Sequence, residues 1–143
     1  MENSEKTQEI VIKTPKNMKV IWFARILSVL LCCQFGFSAA AKLFPKVLYP
    51  EMTEQMAKIG LPESILVPVA ILEILCIVTY LIPATAVLGA VLFTGYLGGA
   101  MLTHLRAGEG VTIHVILGGL LWLGIYLREG RLRELLPIRK NLS

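Results

Sequence analysis

Four long apolar stretches constrain the fold of this chain more than any other feature of its sequence. They cover residues 20–41, 65–82, 85–105 and 111–127. Because a helix rises about 1.5 Å per residue, about 18–22 residues extend about 27–33 Å, which matches a hydrocarbon core of about 30 Å. Each stretch is apolar on all sides rather than along one stripe, as expected of helices that face lipid. We therefore predict four transmembrane helices.

The overall composition agrees with a membrane protein. The 143 residues are enough for one domain, and 55% of them are hydrophobic while 17% are charged. Average soluble domains are about 25% charged, and a small domain has a large surface to cover. The composition therefore argues against a water-soluble fold, and its high hydrophobicity argues against disorder.

Short connections determine how the predicted helices follow one another. Pro83 separates the second and third spans with almost no spacer, and residues 106–110 form a short polar turn between the third and fourth. Short connections join antiparallel neighbours. We therefore predict an all-α membrane protein, a bundle of four transmembrane helices with up-down-up-down topology over residues 20–127.

The first connection is longer and carries a further helical pattern. Within residues 51–59, Met52, Met56 and Ile59 fall on one face, and Gly60 follows as a suitable helix cap. We predict a short amphipathic helix that lies at the bilayer interface between the first two spans. An ordinary surface loop is the alternative.

The distribution of Lys and Arg predicts the orientation in the membrane. The polar segment 1–19, the first span and the tail 128–143 together hold ten of these residues, whereas the connections on the opposite side hold four. By the positive-inside rule, both termini are expected in the cytoplasm. We expect a bacterial inner, or plasma, membrane, with the basic tail 128–143 on anionic lipid.

The net charge of +4 does not indicate a nucleic-acid partner. The basic residues lie next to the spans. They form no basic stripe interleaved with aromatic residues and no zinc-finger, RRM or helix-turn-helix pattern. Lipid is therefore the expected partner of the positive charge.

Polar residues inside the spans are candidate functional residues because they are costly in lipid. Glu73 lies about 15 Å below Glu63 at the outer surface, and Gln34 and Tyr96 lie about 12 Å below Lys42 and His104 at the same surface. A spacing of four residues places Ser38 and Lys42 on the helix face of Gln34. The predicted polar pocket opens to the outside and comprises Gln34, Ser38, Lys42, Glu73, Tyr96, His104 and His114.

A carboxyl group at the depth of Glu73 requires a partner. It would be either protonated or held ionised by a cation, and Lys42 is the favoured cation, followed by the two histidines. Each candidate also has a structural interpretation. The lysine can extend to the interface, and the other polar side chains can bond neighbouring helices.

Gly95 and Gly99 form a small-xxx-small motif, which predicts close helix packing. Packing within one bundle is favoured over packing in a dimer, and the oligomeric state stays open. The motif therefore identifies a face of the third helix rather than a partner.

The cysteines and histidines predict neither a metal site nor a resident cofactor. The three cysteines lie within spans and form no C-x-x-C motif, which disfavours a dithiol oxidoreductase. A haem between His104 and His114 is disfavoured because the two residues lie on adjacent helices joined by one short turn.

Five segments carry a recognisable order and spacing. They are 37–44 (FSAAAKLF), 56–62 (MAKIGLP), 72–75 (LEIL), 81–90 (LIPATAVLGA) and 98–106 (GGAMLTHLR). Together they resemble the DoxX-like family of small four-helix membrane proteins over about residues 20–127. By this resemblance, Lys42, Glu73 and His104 are family-pattern positions.

The resemblance implies two kinds of function. Namesake members are linked to thiosulfate:quinone oxidoreductase as a membrane subunit and others to redox-stress complexes, while distant eukaryotic relatives look like receptor-assembly chaperones or cargo receptors. One hypothesis is therefore a small membrane subunit that binds an apolar ligand such as quinone in the polar pocket. The other is an accessory or assembly protein that binds other membrane or redox proteins and catalyses nothing itself.

Overall fold

A computed structural model of the protein describes residues 18–58, 60–130 and 132. The described part is helical and contains no strand. Most of the segment 1–19, most of the basic tail 128–143 and Ile59 of the predicted interfacial helix lie outside the described residues.

Six helices make up the described chain, and four of them are long. Helix α1 (Met18–Leu43) is followed by the short helices α2 (Pro45–Leu48) and α3 (Met52–Lys58). A 3-10 turn at Glu63–Ile65 leads into the remaining long helices, which are α4 (Leu66–Leu81), α5 (Ala86–Arg106) and α6 (Thr112–Arg128).

The four long helices coincide with the four apolar stretches of the sequence. Each coincides with one predicted span, and the bounds differ by at most two residues. Three of these helices are long and apolar enough to cross a membrane: α1, α5, and α4 when the 3-10 turn before it is included. Helix α6 is also apolar and has 17 residues. The protein is therefore all-helical in its described part, with three to four helices of membrane-spanning character.

The predicted helix in the first connection is present as α3. Gly60 follows it with a φ of 75°, a left-handed conformation that glycine adopts without steric cost. The Leu61 amide donates to the carbonyl of Met56 at 2.9 Å, which closes the helix end in the manner of a glycine cap. Helix α2, which starts at Pro45, is a further turn that the sequence pattern did not predict.

The four long helices pack in a ring. Helix α1 contacts α4 and α6, and α5 contacts the same two helices. The interior contains a tilted pair of Phe35 and Phe93, whose ring centroids lie 4.6 Å apart, and Tyr80 meets Phe93 edge-on at 5.9 Å. Large apolar side chains such as Phe23, Leu30 and many others are exposed on the outside. An apolar exterior of this extent fits a lipid environment.

Helices α4 and α5 approach each other most closely at the hairpin that joins them. A Cβ atom added at Gly89 would lie 2.3 Å from the backbone nitrogen of Tyr80, so the backbones touch at a position where only glycine fits. The hydroxyl of Thr85 donates to the carbonyl of Thr79 at 2.9 Å across the same turn. These contacts hold one end of the α4–α5 pair tightly together.

Tyr80 also connects α4 to the two helices on its other side. Its hydroxyl donates to the carbonyl of Leu121 in α6 at 2.8 Å and lies 3.4 Å from the hydroxyl of Ser28 in α1. Arg128 donates to the carbonyl of Tyr80 at 2.7 Å and lies over its ring. A Cβ at Gly124 would lie 3.0 Å from both hydroxyls, so glycine leaves room for them. Arg128, which the sequence assigned to the basic tail, thus satisfies a carbonyl at the end of α4.

We predict that Gly89→Ala destabilises the protein while Gly98→Ala does not. The added methyl at residue 89 meets backbone atoms that cannot rotate away, which typically costs about 1–3 kcal/mol. No atom among the described residues lies within 4 Å of a Cβ at Gly98 on the same helix. Thermal unfolding of both purified variants in one detergent measures the difference, and equal midpoints would contradict the close approach.

Candidate functional site

A buried ion pair joins α1 to α4. Lys42 lies one residue before the end of α1, and its Nζ atom is 2.8 Å from Oε2 of Glu73 near the middle of α4. The side chain of Glu73 is 1% exposed and that of Lys42 is 10% exposed. Removing either charge from water is costly unless an opposite charge compensates it. The pairing expected from depth and helical spacing is therefore the one that the structure contains.

Ser38 completes the polar cluster. It lies one helical turn before Lys42, and its hydroxyl accepts a hydrogen bond from the Lys42 ammonium at 2.5 Å. The same hydroxyl donates a hydrogen bond to Oε2 of Glu73 at 3.4 Å. The four-residue spacing of Ser38 and Lys42 thus directs both side chains towards one carboxylate oxygen.

The second oxygen of Glu73 is left open. Oε1 is buried and has no hydrogen-bond partner among the described residues. A buried acceptor without a partner costs about 1–3 kcal/mol, and more when it carries charge. Such a group in an otherwise satisfied cluster is a feature that a bound molecule would explain.

Glu73 lines a cavity of about 510 Å³. All seven residues of the predicted polar pocket line this cavity, which brings together α1, α4, α5 and α6. Apolar side chains complete the wall of the cavity. They include Met56, Leu61, Ile65, Val69, Leu72, Leu97 and Leu117. The arrangement is a polar cluster inside an apolar enclosure.

Gly95 and Gly99 lie in the cavity wall rather than against a helix. No atom among the described residues lies within 4 Å of a Cβ placed at either position. Both glycines and Leu72 of α4 are exposed while lining the cavity. The close approach expected at this motif is made instead at Gly89, so α4 and α5 touch at the hairpin and the cavity reaches the surface between their other halves.

The two histidines stand together in the cavity wall. The rings of His104 and His114 lie 4.7 Å apart at their centroids, and Nδ1 of His104 is 2.5 Å from Oε2 of Glu109. Nδ1 of His114 is buried and has no partner among the described residues. Within those same residues, no three His, Cys, Asp or Glu side chains cluster as a metal site.

Some of the surroundings of the site were not anticipated from sequence. Met56 of α3 lines the cavity, although its helical face was expected to contact the bilayer. Glu109 was read only as part of a polar turn, yet it pairs with His104. The amphipathic pattern was a usable signal for Met56, whereas a separation of five positions between His104 and Glu109 across the end of α5 carries no such signal.

Comparison with known families agrees with the resemblance seen in the motifs. The model of the DoxX-like family matches residues 26–126, more than half of the chain. The chain belongs to the DoxX-like family. No curated protein and no solved structure matches it. The region that defines this DoxX-like protein contains Lys42, Glu73 and His104, and its apolar helices together with the family identify it as a membrane protein.

We predict that Lys42→Met destabilises this DoxX-like protein by about 3 kcal/mol, because it leaves the fully buried Glu73 carboxylate without a counterion. Glu73→Gln should cost about 1 kcal/mol, since Lys42 keeps both bonds to Ser38 and the new amide oxygen can still accept from it. The double variant should be more stable than Lys42→Met alone. Thermal unfolding in detergent measures all three.

The matched control for this series is Lys46→Met, which removes an exposed lysine four residues further along. Its midpoint should equal that of the wild type within error. Additive effects of the two substitutions at residues 42 and 73 would show that the pair does not couple α1 to α4.

Proposed function

We propose that the protein is a multi-pass membrane protein of the plasma membrane in which all four long helices cross the bilayer. Helix α6, with 17 residues, extends about 26 Å, close to the thickness of a hydrocarbon core. Helix α6 packs on α1 and α5, two helices of spanning length, and this position supports a fourth crossing. The excess of Lys and Arg near both ends of the chain supports cytoplasmic termini.

This topology can be tested with reporter fusions. Green fluorescent protein fused after Ser143 should be fluorescent, and alkaline phosphatase fused at the same point should be inactive. Fusions that end at Gly110 should show the reverse pattern, because the α5–α6 turn is expected outside. An active phosphatase after Ser143 would overturn the proposed orientation.

We propose further that the cavity binds a small apolar molecule with a polar head, of the class that quinones and their quinols form. The observation that carries this proposal is the buried, unpartnered oxygen of Glu73 inside a largely apolar cavity. Ligand sites typically have volumes of about 300–1,000 Å³, apolar walls and a few convergent polar groups. The volume of about 510 Å³ and the cluster of Lys42, Ser38 and Glu73 match that description.

The exposed part of the wall supports entry from the lipid phase. Leu72, Gly95 and Gly99 line the cavity and are themselves exposed, on α4 and α5. A molecule dissolved in the bilayer could therefore reach Glu73 between these helices without crossing water.

The alternative is an accessory or assembly protein in which the ion pair only ties α1 to α4. Its supporting observation is that the pair links two helices directly, with 2.8 Å between Nζ of Lys42 and Oε2 of Glu73. The two functions differ in the consequence of losing the carboxylate. A ligand site loses binding when Glu73→Gln is made, whereas a purely structural pair loses accumulation of the protein.

We predict that Gly99→Leu abolishes ligand retention without affecting folding. The leucine side chain enters open space in the cavity wall, because a Cβ placed at Gly99 meets no atom of another described helix within 4 Å. Protein purified gently from its native membrane is extracted, and bound lipophilic molecules are quantified by mass spectrometry. The amount of bound molecule per protein should fall at least about tenfold relative to the wild type, since a loss of about 1.4 kcal/mol of binding free energy is a tenfold loss of affinity.

Gly119→Leu is the matched control. Gly119 is exposed on α6, has the same open surroundings and does not line the cavity. Its retention should equal that of the wild type. If Gly99→Leu retains as much as the control, or if Glu73→Gln fails to accumulate while no molecule copurifies with the wild type, the assembly function is the better account.

A further inference from the structure

We infer that the ligand of this cavity presents a hydrogen-bond donor, such as a hydroxyl, to Oε1 of Glu73, and that the site selects the hydroxyl form of a lipophilic molecule over its carbonyl or ether form. The inference rests on the proposed function, since it specifies the chemistry of the molecule bound there.

Lys42 has no hydrogen-bond donor left for a ligand. An ammonium group has three donors and no acceptor. Those of Lys42 meet three acceptors: the Ser38 carbonyl at 3.4 Å, the Ser38 hydroxyl at 2.5 Å and Oε2 of Glu73 at 2.8 Å. All three donors of this ammonium group are therefore used by the protein itself.

Glu73, in contrast to Lys42, has a hydrogen-bonding atom left for a ligand. An ionised carboxylate only accepts hydrogen bonds, and Oε2 already receives Lys42 and Ser38. Oε1 makes no hydrogen bond within 3.5 Å to the described residues. It belongs to a residue that lines the cavity together with Tyr96, whose hydroxyl interacts with the Glu73 carboxylate. A hydroxyl placed there satisfies the oxygen, whereas a carbonyl would set its lone pairs against those of the carboxylate.

The rest of the cavity specifies the remainder of the molecule. The charges of Lys42 and Glu73 cancel, so the pair does not call for an ionic ligand. His114 contributes a buried Nδ1 without a partner among the described residues, and a neutral imidazole nitrogen can donate or accept according to its tautomer. The apolar wall accommodates a hydrocarbon body. The favoured class is a neutral lipophilic phenol, alcohol or quinol, and a quinol is favoured over its quinone.

The test compares two probes that differ in one donor. The full-length protein in lipid nanodiscs is titrated with 4-nonylphenol and with its methyl ether, and dissociation constants are measured by microscale thermophoresis. The phenol should bind at least about tenfold more tightly, since a hydrogen bond to a buried charged acceptor discriminates by that order. The carboxylate infrared band of the wild type should shift with the phenol and not with the ether.

Two variants identify the group responsible. In Glu73→Gln, an amide NH₂ can occupy the position of Oε1, so the preference for the phenol should disappear or reverse. In Glu63→Gln, which changes an exposed carboxylate outside the cavity wall, the tenfold preference should remain. The infrared comparison on the wild type gives the same assignment if Glu73→Gln accumulates poorly.

The outcomes separate this inference from the proposed function. Equal binding of both probes, or tighter binding of the ether, overturns the donor requirement and leaves a ligand-binding cavity in place. A preference for the phenol that persists in Glu73→Gln overturns the assignment to Oε1. Binding of neither probe to the wild type overturns both the inference and the proposed function.

Discussion

The cost of placing charge in an apolar interior governs the arrangement of this protein. Glu73 is buried near the middle of α4, and its carboxylate requires a cation within bonding distance. Lys42 can supply one only if the end of α1 lies beside the middle of α4. That requirement fixes the relative height of two helices, and the other two pack around the pair that results.

The α4–α5 pair shows how one sequence produces both a rigid contact and a cavity. At the hairpin, the glycine at residue 89 lets the backbones touch, and the contact is closed by the hydroxyl of Thr85. Farther from the turn, Gly95 and Gly99 face open space. The same helix therefore contributes a backbone contact near the hairpin and, through Gly95 and Gly99, part of the cavity wall.

Much of the fold could be predicted from the sequence, because long apolar runs and short connections restrict a chain to few arrangements in lipid. The Lys42–Glu73 pair was also accessible, since depth in a helix follows directly from residue number. The choice between Gly89 and Gly95 for close packing was not, because the spacing of small residues does not say which neighbour approaches them. Arg128 was likewise assigned to the basic tail, since nothing local indicates that its long side chain turns back to the carbonyl of Tyr80.

Tyr80 makes the two ends of the helix ring different, because one end is held together by its contacts and the other surrounds the cavity. Through its backbone, ring and hydroxyl it contacts α5 at Gly89 and Phe93, α6 at Leu121, and α1 at Ser28. All four long helices are thus anchored at a single side chain near the hairpin end, while the opposite end surrounds an open volume. A molecule that enters between α4 and α5 therefore meets the end of the helix ring that Tyr80 does not hold together.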